Sequence, residues 1–283
     1  MVEDGTDLRW DVERVHYLRC QGRHASGAVT RLGRLIVFTL VTVVAAGVRV
    51  HPAVAETARE LTAEADRLIG AHEGLPPSLQ KAIALYERAA QLEPVNAEIQ
   101  IKLAEAALEL GDSAADGLAW YEVGERAGER AVALNELNAH GHYLLAANRG
   151  HVAKRRSIIE ARPSIVGDLE QHLLRALALD ARHARALHMM AILLRDTPLL
   201  VRLYLKGKRS DVERYLVAAV DADQNFPQAR LDLAELYRST GRPALARSQA
   251  RAVLEMASSP RERLWREKYR RAAVTLLRRL PAD

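Results

Sequence analysis

The sequence predicts an all-α chain, an irregular solenoid of helical hairpins over residues 56–283. Three observations carry this reading. Ala and Leu dominate the apolar residues and aromatics are only 5% of 283 residues, a composition that favours packed helices over sheets. Val and Ile form no long alternating run. Large–small pairs recur in order, at Leu103-Ala104, Leu145-Ala146, Met190-Ala191 and Leu233-Ala234. The hydrophobic share of 49% and charged share of 27% are globular values, which exclude a disordered, collagenous or polytopic membrane chain. A single cysteine, Cys20, excludes a disulfide framework and a Cys-rich zinc site.

The N-terminus reads as an address. Residues 1–28 are polar and unpatterned, and they are expected to be an extension upstream of a native start near Val29. Residues 29–55 are expected to be a signal peptide. Arg31 and Arg34 precede the uncharged run Leu35 to Val48, and Ala53-Val54-Ala55 supplies a small-x-small cleavage site. About 14 residues is short for a bilayer span, so an uncleaved anchor is the competing reading. No cysteine follows the run, so no lipid anchor is expected there. The predicted location is periplasmic or otherwise exported.

Helix boundaries follow in order. Ser78, after Pro76-Pro77, is expected to open a helix. Thr197-Pro198 places a cap before a Pro at a first helical position. Ser210-x-x-Glu213 and Ser259-Pro260-x-Glu262 read as capping boxes. Gly111-Asp112, Gly150, Gly207 and Gly241 are expected stops.

Repetition organises the remainder. Ala82, Tyr86, Ala89 and Pro94 are spaced by 4, 3 and 5, and small residues at such spacing let two helices approach closely. The large residues of the recurring pairs are 42, 45 and 43 apart, against about 34 for the shortest helical-hairpin repeats. Gly70 lies 34 before Ala104 and is taken as the small residue of the first repeat. The extra residues are assigned to insertions in 111–125 and 155–168. Ala246, Ala250 and Val253 continue the last repeat. The C-terminal segment RERLWREKYRRAAVTLLRRL reads as an amphipathic capping helix with Leu264, Trp265, Ala272, Leu276 and Leu280 on its apolar side. Peripheral membrane contact or partner docking is the alternative use for it.

On these residues the chain resembles the tetratricopeptide-repeat (TPR) superfamily across about 63–256. More narrowly, AVALNELNAHGHYLLAANRGHVAKRRS, LLRALALDARHARALHMMAILLRD and AAVDADQNFPQARLDLAELY are similar in layout to the T-component (TatT) family associated with TRAP transporters. That resemblance implies a periplasmic all-α protein, often a homo-oligomer, that partners a periplasmic solute-binding protein. The chain departs from it in lacking a lipidated cysteine.

No phosphate-binding loop, dinucleotide fingerprint, nucleophile elbow or HExxH motif occurs. The chain is therefore read as non-enzymatic, with no cofactor and no metal. His140 and His142 are two apart and His183 and His188 five apart, neither being a helical ligand spacing. By TPR geometry, first-helix side chains line a groove. The candidate groove residues are His140, Tyr143, Leu144, His151, Arg185, His188, Met189, Arg195, Gln228 and Arg238. Glu98, Ile101, Lys102 and Glu105 stand at its start, Ala147 and Ile192 in its middle, and Leu231, Asp232 and Glu235 at its end. Tyr143, His188 and Met189 are expected to grip an apolar or peptide segment, with Arg185 and Arg195 pairing with carboxylates. Residues 56–150 hold 8 Lys and Arg against 16 Asp and Glu, and residues 151–283 hold 26 against 15. An acidic half joined to a basic half favours steering of charged partners and head-to-tail association. The function read from the sequence is an exported scaffold for a protein partner, an accessory of a TRAP-type transport system. The alternative is an accessory that itself holds a small carboxylate or lipid-like solute in its groove or in an oligomer pore. Nucleic acid is not expected as a partner.

Overall fold

A computed structural model describes residues 56–71, 75–157, 159, 162–256 and 263–281. The expected extension, the signal peptide and the Ser259 capping box lie outside the described residues. Eleven α-helices follow one another with no strand among the described residues: α1 (Ala58–Ala71), α2 (Pro76–Leu92), α3 (Ala97–Ser113), α4 (Leu118–Leu134), α5 (Ala139–Arg155), α6 (Ser164–Leu179), α7 (Ala184–Asp196), α8 (Val212–Ala222), α9 (Pro227–Ser239), α10 (Pro243–Glu255) and α11 (Arg263–Arg279). Two short 3-10 helices, Leu199–Tyr204 and Arg209–Asp211, join α7 to α8. Each odd helix up to α9 packs on the even helix after it, which in turn packs on the next odd helix. The architecture is therefore the expected all-α solenoid of helical hairpins. None of the described helices is long and apolar enough to cross a membrane.

The recurring pairs do what their spacing requires. Leu103, Leu145, Met190 and Leu233 are all buried, and Ala104, Ala146, Ala191 and Ala234 are wholly so. A methyl at each crossing lets neighbouring helices close on one another without a void. The turns between hairpins repeat as well. The amides of Glu93, Asn135, Asp180 and Asp223 donate to the carbonyls of Ala89, Ala131, Ala176 and Ala219 at 2.8–3.1 Å. Three of these turns close with an Asx bond, in which Leu137, Arg182 and Asn225 donate to Asn135, Asp180 and Asp223 at 2.9–3.1 Å.

Several boundaries differ from the sequence reading, each for a packing reason. α2 begins at Pro76, with both prolines in its first turn, so Ser78 lies inside the helix and is buried; proline's preset φ leads the helix without a side-chain cap. Thr197 ends α7, its hydroxyl donating to the Leu193 carbonyl at 2.6 Å. Ser210 and Glu213 form no box: the Lys208 amide donates to Asp211 Oδ2 at 3.1 Å, and α8 starts at Val212.

Of the four expected stops, only Gly241 ends a helix. Its φ of +74° lies in the left-handed region that favours glycine. Around it Arg242 N donates to Tyr237 O at 2.8 Å and Gly241 N to Arg238 O at 3.3 Å, the paired bonds of a Schellman ending. α3 runs through Gly111 because the Tyr121 ring lies against it; a Cβ there would sit 2.5 Å from Tyr121 Cε1. α5 runs through Gly150, where a Cβ would sit 3.1 Å from Met189 Cε. Gly207 lies in the α7–α8 connection, donating its amide to Glu170 at 2.7 Å. Gly70 is exposed with open space beside it, and the wholly buried small residue of α1 is Ala65.

The long period arises largely within the helices. α3, α4 and α5 have 17 residues each and α6 has 16, so residues 111–125 are mostly helical rather than an inserted loop. The described residues 156, 157, 159, 162 and 163 lie outside both α5 and α6, and a 3-10 stretch precedes α8. Among the described residues of α11, Ala273 and Leu276 are buried, with Leu280 just past its end, and the helix packs on α9 and α10. Ala272, expected on that face, is exposed, because a helix packed through 273, 276 and 280 turns 272 outward. The Leu264 and Trp265 side chains lie outside the described residues.

Candidate functional site: the first-helix face

The first helices of successive hairpins bring their polar side chains to one face. Near the starts of α5 and α7, His140 Nδ1 lies 3.1 Å from His183 Nε2, and His140 Nε2 lies 3.6 Å from Glu105 Oε2 on α3. The Tyr143 ring sits beside both imidazoles, with centroids 5.6 Å from His140 and 5.1 Å from His183. Arg185 Nη1 reaches Glu105 Oε1 at 3.2 Å. A side chain on α3 thus touches one on α7 although α5 lies between them, so this is the inner, concave side of the stack.

The hydrogen bonds fix the tautomers. Ala186 N donates to His183 Nδ1 at 3.2 Å, so the neutral ring carries its proton on Nε2. His183 Nε2 then donates to His140 Nδ1, and the His140 Nε2 proton points toward Glu105. The outcome is a relay running from the α7 N-terminus to a carboxylate. Burial pushes the His183 imidazole below its ordinary value, with the neighbouring His140 adding to the effect. Burial likewise pushes the Tyr143 phenol up to about 12.

A second group occupies α7 and α9. Asp232 accepts from His188 Nε2, Arg195 Nη1 and Gln228 Nε2, each at 2.8 Å. Burial raises this carboxyl, but the bonds from His188, Arg195 and Gln228 outweigh it and hold the group at about 2. The Phe226 ring meets His188 edge-on at 5.0 Å.

A third group lies at the far ends of α3 and α5. His151 stacks on Tyr121 with centroids 4.3 Å apart, and Tyr121 donates to Asp112 at 2.7 Å. Arg155 lies over the same phenol, 5.6 Å from its centroid.

The predicted groove residues therefore divide. His140, Tyr143 and Arg185 meet in the first group, His188, Arg195 and Gln228 in the second, and His151 in the third. Leu144 is wholly buried in the core. Met189 packs into the gap beside Gly150. Arg238 makes a local pair with Glu235, its Nε 3.0 Å from Oε2. At the start of the face, Lys102 bridges to Asp66 of α1 at 3.0 Å.

Sequence reasoning missed His183 as a member of the site. Its signal was the repeat register: it takes the capping place that Asn96 and Asn138 hold before α3 and α5, 42 and then 45 residues further on. It also missed the His142–His172 pair inside the α5–α6 hairpin, Nδ1 to Nδ1 at 3.0 Å. His142 Nε2 bonds the Glu136 carbonyl at 3.0 Å and so carries the proton there, which makes His172 Nδ1 the donor to His142.

No family model matches this chain, and no curated protein matches it. Among solved structures, a thermophilic TPR protein of Thermus thermophilus aligns with a TM-score of 0.56 at 23% identity, over 77% of this chain and 100% of its own. The fold is that of a tetratricopeptide-repeat protein. More distant likenesses include PilF of Pseudomonas aeruginosa, with a TM-score of 0.44 at 16% identity over 75% of this chain and 90% of its own. Within this TPR fold, α3, α5, α7 and α9 are the first helices of their hairpins.

Proposed function

We propose that the chain is a non-enzymatic TPR scaffold that binds a protein partner along the first-helix face. The observation that carries this is the convergence of Glu105, His140, Tyr143, Arg185, His188 and Asp232 from four successive hairpins onto one side. Such a face offers hydrogen-bonding groups and aromatic surface along an extended segment, which suits peptide recognition better than enclosure of a small solute. Its arginines already hold carboxylates of the chain itself, so an acidic partner would act by exchange with Glu105 or Asp232.

The finer reading, drawn from the sequence, is an exported protein whose partner is a solute-binding protein of a TRAP-type transporter. The apolar run at 35–48 supports export, and the layout of residues 131–237 supports the transporter association. The test is capture from the native envelope fraction with full-length chain, comparing Arg185→Glu on the inner face with Lys81→Glu on exposed α2. Loss of a specific partner with the first variant alone is expected. Capture unaffected by Arg185→Glu, or no specific partner at all, would overturn the groove assignment. A captured protein that is not a solute-binding protein would overturn the transporter association only.

A further inference from the structure

The connection between α7 and α8 carries the most exposed apolar group among the described residues. Leu199, Leu200 and Leu203 are 74%, 84% and 89% exposed, and Tyr204 is 50% exposed. Isolated exposed leucines are ordinary, but three with a tyrosine in six residues form a patch that normally meets a partner.

The chain holds this patch in place from beneath. Buried Glu170 of α6 accepts from the amides of Lys206 and Gly207, both at 2.7 Å. The Arg202 guanidinium donates to the Thr197 carbonyl at 3.0 Å. Val201, between the exposed leucines, is buried. The leucines thus stand on an anchored turn whose other side is spent in the core.

Charge identifies the partner. Lys206, Lys208 and Arg209 are exposed beside the leucines, and among the described residues none of them is paired with a carboxylate. The neighbouring acids are occupied: Asp211 by the Lys208 amide and Arg214, Asp196 by Arg195, and Glu170 by the loop itself. A second copy docked through the same turn would bring the same cations against each other. An apolar tip with a tyrosine and a cationic rim matches the acyl boundary and headgroups of a bilayer.

We propose that the Leu199–Tyr204 turn inserts into the surface of an anionic lipid bilayer. The turn packs on α6, a second helix of its hairpin, and not among the clustered side chains of the first-helix face. For the C-terminal helix the sequence favours capping, with membrane contact as the alternative, and its buried Ala273 and Leu276 suit a cap.

The test uses the full-length chain carrying Cys20→Ser and Leu200→Cys, labelled at position 200 with an environment-sensitive dye. A second version carries the dye at Val95, 75% exposed in the α2–α3 turn. The position of the dye separates this turn from any binding through residues 35–48. Vesicles containing phosphatidylglycerol should blue-shift the dye at 200 and leave the dye at 95 unchanged, while pure phosphatidylcholine should shift neither. In unlabelled chain, Lys206→Gln, Lys208→Gln and Arg209→Gln should each lower partitioning roughly fivefold, the equivalent of about 1 kcal/mol per basic residue near the surface. No shift at 200, or an equal shift with neutral vesicles, would overturn the proposal. So would a shift that appears without vesicles as protein concentration rises, or only on adding envelope protein. Unchanged thermal melting checks that each exposed substitution leaves the fold intact.

Discussion

Arg185 Nη1 on α7 sits 3.2 Å from Glu105 Oε1 on α3, across 80 residues of sequence. One whole hairpin, α5 with α6, lies between theirs in the chain, and the pair reaches past α5 to close. Both are partly exposed, so the pair is screened and its net stabilisation is small. A double-mutant cycle of Glu105→Gln and Arg185→Gln should give a coupling below about 1 kcal/mol in urea unfolding. The coupling should vanish in roughly 1 M salt. A coupling that survives high salt would show that the pair is far better shielded than its exposure indicates.

Asp232 is the more consequential charge. Asp232→Asn keeps one acceptor oxygen but removes the charge and turns the other oxygen into a donor facing donors at 2.8 Å, and should cost about 2 kcal/mol of unfolding free energy. The acid limb follows from its depressed pKa. The unfolded carboxyl takes its proton near 3.8, whereas the folded one holds out to about 2. The unfolded state therefore binds more protons in that interval. Stability is full above about pH 4 and falls as pH drops toward 2, by about 2 kcal/mol in total. Acid titration of the Asp232→Asn variant should lack that component.

The two histidine pairs respond at milder pH. His183 and His172 are both pushed below 6.5 by burial, each with a further contribution from its partner histidine. The unfolded rings protonate first, so stability is full above about 6.5 and declines as pH falls through the folded values. Protonating His183 also removes the acceptor that caps Ala186 N. Hydrogen exchange at pH 5 should accelerate at the first amides of α7 relative to those of α3, which Asn96 caps. His183→Asn, which keeps an acceptor at that place, should abolish the difference.

Glycine substitutions should divide sharply. A Cβ at Gly128 would lie 2.9 Å from Leu145 Cα, a backbone atom of a packed helix that cannot swing aside. Gly128→Ala should cost about 1–3 kcal/mol or more through overpacking. At Gly70 nothing lies within 4 Å, and Gly70→Ala should stabilise α1 by about 0.5 kcal/mol. Thermal melts of the two variants give opposite signs.

Glu170→Gln tests the anchoring of the α7–α8 connection. The substitution keeps the shape but replaces a charged acceptor with a neutral one, against amides 2.7 Å away. Exchange of the Lys206 and Gly207 amides should rise at least tenfold, a local opening cost reduced by about 1.4 kcal/mol. Unfolding of α1 to α4 should be unaffected.

The helical class and the packed pairs are legible in the sequence because a buried large–small pattern is a local property of each helix. Gly111 and Gly150 read as stops because the reason for a glycine inside a helix, here Tyr121 and Met189, lies on another helix. The site is partly legible. Repeat register places His140, Arg185 and His188 on first helices, but it does not fix the rotation of one helix against the next. Which carboxylate each cation meets, Glu105 for Arg185 and Asp232 for Arg195, depends on that rotation. His183 escapes a sequence reading because it stands just before its helix, where the preceding repeats carry asparagine.

The helix lengths along the inner face have one more consequence. α3 and α5 have 17 residues each, whereas α7 and α9 have 13. At 1.5 Å per residue the wall drops from about 25 Å to about 20 Å between α5 and α7. A stack of equal repeats would offer the same surface at every step, and a long ligand could slide along it by one unit. Here the step falls at a single place, giving the surface a head and a tail. A partner of the proposed kind that spans this step would meet different surface on each side of it.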